Sequence, residues 1–178
     1  MTEVKRVRVL FDEAQIARRN DEIAGDIAAR KPRDLLVVAI LKGSFMFAAD
    51  LMRALHHAGL MPQVEFMHLS SYRDATVSSG HVEILKDVES DVRDRDVILI
   101  DDILESGRTL AFAKDLLTAR GARVLTCCLL EKPGKSAVSL KADFVGFTCP
   151  DLFVVGYGMD VAHSYRQLPF VGVVETDD

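Results

Sequence analysis

The sequence is poor in cysteine, has no hydrophobic run long enough to cross a bilayer, and carries no excess of positive charge. Among 178 residues there are three cysteines, Cys127, Cys128 and Cys149. Two are adjacent, the count is odd and no CxxC spacing occurs, so a disulfide framework is excluded and free thiols in a reducing cytoplasm are expected. His56, His57, His68, His81 and His163 have no ligand-like spacing to the cysteines, which argues against a zinc site. The apolar run "DLLVVAIL" is closed by Lys42, and "MTEVKRVRVLFDE" lacks the pattern of a secretory leader. A net charge of -5 supplies no basic field for nucleic acid or a membrane surface. An anionic substrate would therefore need a local cationic site or a metal ion.

What is present reads as one globular domain over residues 1–178, without repeats or linkers. Residues 12–31 carry helical spacing through Ile16, Ile23 and Ile27 and stop at Pro32. "DLLVVAIL" (34–41) is a continuous apolar run of strand length, the mark of a strand covered on both faces. A helix over 45–58, an alternating strand over 63–72 and a strand in "HVEILKDV" follow, the last two separated by the polar loop "RDATVSSGH". Then come a strand at 96–102, a helix at 107–120 and an apolar strand at 122–131. This alternation predicts an α/β fold: a mostly parallel open sheet with helices on both faces. Residues from about 143 to 178 read as short strands and turns, forming a small C-terminal cap, or hood, over the strand C-termini.

The densest chemistry lies in "VILIDDILESGRTL" (97–110), where Asp101, Asp102 and Glu105 follow a buried strand. In open α/β sheets ligands bind beyond the carboxyl ends of the strands. Helix amides at 106–109 would favour a phosphate there, with hydroxyls from Ser106 and Thr109 and close backbone approach at Gly107. Two vicinal carboxylates could accept bonds from sugar hydroxyls or hold Mg²⁺ through water. Alternatively Asp102 and Glu105 cap the helix while Asp101 is solvated. "LKGS" (41–44) leaves its strand in the same way, and by itself fits an ordinary helix start. Neither a Walker A loop nor a dinucleotide fingerprint is present.

Together these loops resemble the type I phosphoribosyltransferases, whose signature is four apolar residues, two acids and a turn of the form D-[ST]-G-x-T. "VILIDDILESGRTL" matches it except for Glu105, where Asp is usual. "LKGS", "SSY" (70–72), "LLEK" ending at Lys132, and "ADFVGFTCPDLFVVGYGMD" (142–160) followed by Arg166 narrow the resemblance to members acting on hypoxanthine and guanine. It covers about residues 35 to 175 in order and spacing.

The resemblance implies that 5-phosphoribosyl-1-pyrophosphate is bound by Leu41, Lys42, Gly43, Asp101, Asp102, Glu105, Ser106, Gly107, Arg108, Thr109 and Arg166. Its ribose 5-phosphate would sit at 105–109 and its pyrophosphate at Leu41-Lys42, a peptide often cis in this family, and at Arg166. Lys132 would donate to the purine 6-oxo group, Phe153 would stack on the base, and the Val154 backbone would meet its Watson–Crick edge. Asp160 would line the purine site and join Asp101 and Asp102 in holding Mg²⁺. Ser71 and Tyr72 would begin a lid. Each has an alternative: Phe153 as a core strand residue, Lys132 as a solvated loop lysine, Tyr72 as a strand end, Asp160 as a turn former.

The implied reaction is purine salvage in the cytoplasm, with Glu105 assisting the proton at purine N7 and with a homo-oligomer, dimer or tetramer, as the assembly. A donor at Lys132 selects 6-oxopurines, since adenine's amino group would face it donor to donor, at about 1–3 kcal/mol. Rival expectations are a preference for xanthine or another base, and a nucleotide-sensing regulator on the same fold. The regulator would call for a basic face or an added domain.

Overall fold

The apolar run at 34–41 folds as β2 (Leu36–Leu41) and lies inside a six-stranded sheet of order β4-β3-β2-β5-β6-β7. Its companions are β3 (Gln63–Ser71), β4 (Val82–Lys86), β5 (Asp96–Leu104), β6 (Arg123–Glu131) and β7 (Phe144–Thr148). All pairings are parallel except that of β3 with the edge strand β4. The computed structural model describes residues 6–71 and 82–175, with the side chain of Ser71 left out.

The continuous apolar character of the central strands follows from burial on both faces. Val37, Ala39, Ile98, Ile100, Cys127 and Leu129 face one core, completed by α1 (Glu13–Ala29) and α2 (Phe45–His57). Leu36, Val38, Ile40, Val97, Leu99 and Cys128 face the other, covered by Leu110, Ala113 and Leu117 of α3 (Arg108–Ala119). Helix α1 opens with a capping box: the Gln15 amide donates to Asp12 Oδ1 at 2.8 Å, and the Asp12 amide donates to Gln15 Oε1 at 2.9 Å. Arg19 ties this helix to β7, its guanidinium donating to the carbonyls of Val145 and Gly146. Among the described residues no helix is long and apolar enough to cross a membrane.

The hood is a separate three-stranded sheet of order β1-β9-β8, formed by β1 (Val7–Phe11), β9 (Val171–Val174) and β8 (Val154–Val155). Val154, Tyr157, Met159 and Val171 join the core beneath α1 and α2. Two elements differ from the sequence expectation. Phe144–Thr148, expected within the cap, is instead the edge strand of the main sheet, paired in parallel with β6. The amino-terminal stretch, read only as short apolar runs, supplies β1, whose Val7 pairs with Val174. That pairing joins the two ends of the chain, so no local pattern announces it. Tyr72 and most of the predicted lid lie outside the described residues.

Candidate active site

Strands β2 and β5 are neighbours, yet their connections leave in opposite directions, β2 toward β3 and β5 toward β6. A crevice opens at the carboxyl ends of such a pair. A cleft of about 640 Å³ occupies that place. Leu41, Lys42 and Gly43 line it from the β2 side, and Asp102 and Glu105 from the β5 side. Lys132 enters from the end of β6, and Phe153, Val154, Asp160 and Arg166 from the hood. Asp101, Ser106, Gly107, Arg108 and Thr109 do not line the cleft; they form the strand end and turn beside Asp102 and Glu105.

The β5 strand runs to Leu104, two residues beyond the predicted end, because Ile103 and Leu104 continue the ladder with Leu130 and Glu131. Asp101 and Asp102 therefore stand within the strand rather than at its tip. Each carboxylate is steadied by the next amide: the Asp102 N–H donates to Asp101 Oδ1 at 2.9 Å, and the Ile103 N–H to Asp102 Oδ1 at 2.8 Å. Burial, and then the charge of Asp102, push the Asp101 carboxyl well above the usual carboxylate range. Behind it, burial and the Asp101 charge push the Cys128 thiol up to about 12. The three cysteines are free, as their spacing predicted, and all are buried.

Neither acid caps α3. Its N-cap is Gly107, at φ 75°, which offers no side chain to the first turn; the Ser106 hydroxyl accepts a long bond from the Arg108 amide at 3.4 Å. The left-handed backbone is one reason for glycine here; the other is space, since a Cβ would come within 3.0 Å of Val138 Cγ2. The turn is held from outside by the Ala137 amide, which donates to the Ser106 carbonyl at 2.9 Å. First-turn amides with the hydroxyls of Ser106 and Thr109 beside them are the kind of group that can receive an anion.

The second loop is set by α2. The Ser44 hydroxyl, fully buried, donates to the Ile40 carbonyl at 2.5 Å, and the Phe45 amide donates to the Lys42 carbonyl at 3.2 Å. The Leu41-Lys42 peptide is cis. Gly43 is wedged between the Asp102 carboxylate on one side and Gly158 of the hood on the other; a Cβ at Gly43 would collide with Asp102, and one at Gly158 with the Gly43 carbonyl.

Two of the alternatives weighed for single residues do not hold. Lys132 is 8% exposed, and its Nζ stands 3.7 Å from Glu105 Oε1. It is thus no solvated loop lysine. Phe153 is 64% exposed at the cleft, not packed in a core strand, while its neighbour Val154 is buried. Asp160 pairs with Arg166 at 2.9 Å and accepts the His163 amide at 2.8 Å. Arg166 also donates to the Gly158 carbonyl at 2.7 Å. Residues not anticipated from sequence also line the cleft: His68 and Leu69 at the end of β3, and Asp151, Leu152 and Met159 in the hood. Only the strand order, with Leu41 beside His68, identifies the β3 pair.

The fold and site define a class. Residues 9–162 match the phosphoribosyl transferase domain, and the chain belongs to the phosphoribosyltransferase family. Within it the chain falls among the hypoxanthine and hypoxanthine-guanine phosphoribosyltransferases. It is 41% identical over 172 residues to a hypoxanthine phosphoribosyltransferase of Escherichia coli strain K12, covering 94% of this chain and 95% of that one. It is 40% identical over 170 residues to a hypoxanthine-guanine phosphoribosyltransferase of Bacillus subtilis strain 168, covering 94% and 93%. It superposes with a TM-score of 0.88 and 33% identity on the Trypanosoma cruzi hypoxanthine phosphoribosyltransferase in complex with its product IMP, covering 98% and 97%.

The raised Asp101 carboxyl has a consequence for stability. A carboxyl whose folded pKa exceeds its unfolded value of 3.8 binds a proton in the folded state that the unfolded state has released. Stability then falls as pH rises above about 4, until the folded group ionises. Asp101→Asn removes that loss. Its Tm should match the parent near pH 4 and exceed it by roughly 2–4 °C at pH 8, as measured by thermal unfolding at both pH values.

Proposed function

We propose that this chain transfers the 5-phosphoribosyl group of phosphoribosyl pyrophosphate to hypoxanthine or guanine, giving IMP or GMP and pyrophosphate. The observation that carries the reading is the crevice at the β2–β5 switch point. There a buried ammonium, Lys132, and a carboxylate, Glu105, stand between an anion seat and an exposed aromatic ring, Phe153. The same crevice gathers Lys42 and Arg166 as cations on an acidic chain.

In the reaction the bond from ribose C1 to the pyrophosphate oxygen breaks and a bond from C1 to a purine ring nitrogen forms. Charge develops on the sugar ring and on the leaving group, so positioning and electrostatics carry most of the catalysis. Glu105 to Thr109 hold the 5-phosphate through the turn amides and hydroxyls; Asp102 faces the ribose hydroxyls from the cleft wall, and Asp101 backs it from the strand beside it. Leu41, Lys42, Gly43 and Arg166, which line the cleft, receive the departing pyrophosphate. On the base, Lys132 donates to the 6-oxo group, Phe153 stacks on the ring and the Val154 backbone meets the Watson–Crick edge. Glu105 takes up or returns the proton at N7. Its added methylene relative to Asp lets the carboxylate reach toward Lys132, so the two groups offset each other's charge before a base arrives.

Mg²⁺ fits this site as a companion of the substrate. Among the described residues no cluster of three or more acidic, histidine or cysteine side chains could hold a metal by itself. The vicinal pair Asp101 and Asp102, with Asp160 across the cleft, instead offers a few hard oxygen ligands and leaves the rest to phosphate oxygens and water. When bound, the ion would spread the negative charge of the pyrophosphate. Burial first, and then the charge of Asp102, raise the Asp101 carboxyl, and a cation would relieve the second of these.

The whole chain acts as one domain in this reading, with the hood supplying the base contacts. A homo-oligomer in the cytoplasm completes it. Val64 and Phe66 are exposed apolar side chains two residues apart on β3, a surface that suits a second copy. A 6-position donor accepts xanthine as readily as hypoxanthine, so the bases have to be compared directly.

Pyrophosphate release is measured with phosphoribosyl pyrophosphate, Mg²⁺ and each of hypoxanthine, guanine, xanthine and adenine in turn. Turnover with the first two and none with adenine is expected. Silence with all four, while phosphoribosyl pyrophosphate still binds, would overturn the transferase reading in favour of a sensor. Glu105→Gln should lower kcat by about 10²-fold or more, with phosphoribosyl pyrophosphate affinity nearly unchanged. An unaltered kcat would remove Glu105 from the proton transfer.

A further inference from the structure

A ring of contacts closes around the pyrophosphate end of the cleft, and several of its members have no part in the reaction itself. It starts at the Leu41–Gly43 loop, passes through Ser44 into α2, and runs along α2 to Asp50. From Asp50 it crosses to the hood: the Tyr157 hydroxyl donates to Asp50 Oδ2 at 2.6 Å and accepts from Asn20 Nδ2 of α1 at 3.0 Å. It returns through Gly158, which abuts the Gly43 carbonyl and accepts the Arg166 guanidinium on its own carbonyl at 2.7 Å.

Tyr157 sits at the most constrained point of this ring. Gly156, Tyr157 and Gly158 all have positive φ, of 93°, 49° and 99°. Glycine takes that conformation freely, whereas tyrosine does so at a cost that its surroundings must offset. The backbone at this turn is fixed to the segment carrying Arg166: the Tyr157 amide donates to the Leu168 carbonyl at 2.8 Å, and the Gly158 amide to the Arg166 carbonyl at 3.0 Å. The Tyr157 side chain is buried, and burial together with the bond to Asp50 keeps the phenol protonated, a donor to that carboxylate. Asp50 is held from its other oxygen by Arg53 at 2.9 Å. One hydroxyl thus joins both helices of the first core to the turn that carries Gly158 and clamps Arg166.

We propose that the Tyr157 hydroxyl is a positioning group for the pyrophosphate: it fixes the separation between Arg166 and the Lys42-Gly43 loop. The proposal rests on the assignment of those residues to pyrophosphate. Without the hydroxyl, Gly158 can draw away from Gly43, and the two cationic groups lose their common geometry. Lys132 and the 5-phosphate turn belong to β6 and β5, and Phe153 and Val154 are held by the pairing of β8 with β9 at Val154–Val173 and Val155–Gly172, so the base contacts lie outside the ring and keep their geometry.

The test is steady-state kinetics in both directions on the full chain, with thermal unfolding alongside. Tyr157→Phe should raise the KM for pyrophosphate in the reverse reaction by about tenfold and leave the KM for hypoxanthine in the forward reaction unchanged. Asp50→Ala, which removes the acceptor on a partly exposed helix face, should reproduce that split. Asp50→Asn keeps an oxygen for the phenol proton and should restore the parental value. A general loosening of the fold would lower the Tm without separating the two KM values. An unmoved pyrophosphate KM in Tyr157→Phe, or an equal rise in both, would overturn the positioning role while the parent enzyme still turns over. Absence of turnover in the parent would overturn the assignment of the site instead.

Discussion

The structure depends on one topological constraint: two parallel strands lie side by side, and the chain leaves them in opposite directions. Strands β2 and β5 are buried on both faces, so their backbones are rigid and their C-terminal ends are fixed relative to each other. The loops that follow cannot fold back over each other, because one goes to β3 and the other to β6. The crevice between them is a product of that divergence. Every other part of the site is placed against it: the hood closes one side through Gly158, Lys132 enters from β6, and α2 and α3 begin where the loops end.

Charge is concentrated where the fold can bear it. The chain is acidic overall, yet Lys42, Lys132 and Arg166 converge on the cleft, Lys132 facing Glu105 and Arg166 paired with Asp160. Asp101 and Asp102 are adjacent in a strand with a largely apolar interior, an arrangement that costs stability. Two separate cores, one on each face of the sheet, supply the packing that tolerates this cost. Glu105 and Lys132 are the sharpest instance: a half-exposed carboxylate and a buried ammonium facing each other at 3.7 Å on the cleft wall.

Much of this is legible in the sequence, and the reasons differ by element. Strands β2, β5 and β6 can be read because burial on both faces leaves an uninterrupted apolar run, and α1 because the spacing of Ile16, Ile23 and Ile27 marks a face and Pro32 an end. The two loops can be read because they follow such strands. The end of β5 reads too early: acids there look like a turn, and only the pairing of Ile103 and Leu104 with β6 shows otherwise. β1 cannot be read at all, since its partner β9 lies at the other end of the chain. Nor can the bonds of Tyr157, which reach across 107 residues to Asp50 and 137 to Asn20. Burial of Lys132 and exposure of Phe153 reverse the ordinary habits of their residue types, and those reversals mark the site.

The central claim is that the crevice reads a 6-oxopurine nucleotide through a buried donor at Lys132. Equilibrium binding of IMP and AMP, compared by calorimetry under one set of conditions, tests it most directly, because the two ligands share the ribose 5-phosphate and differ at purine position 6. IMP should bind at least about tenfold more tightly than AMP, the consequence of leaving one buried donor without an acceptor. Equal affinities would contradict it.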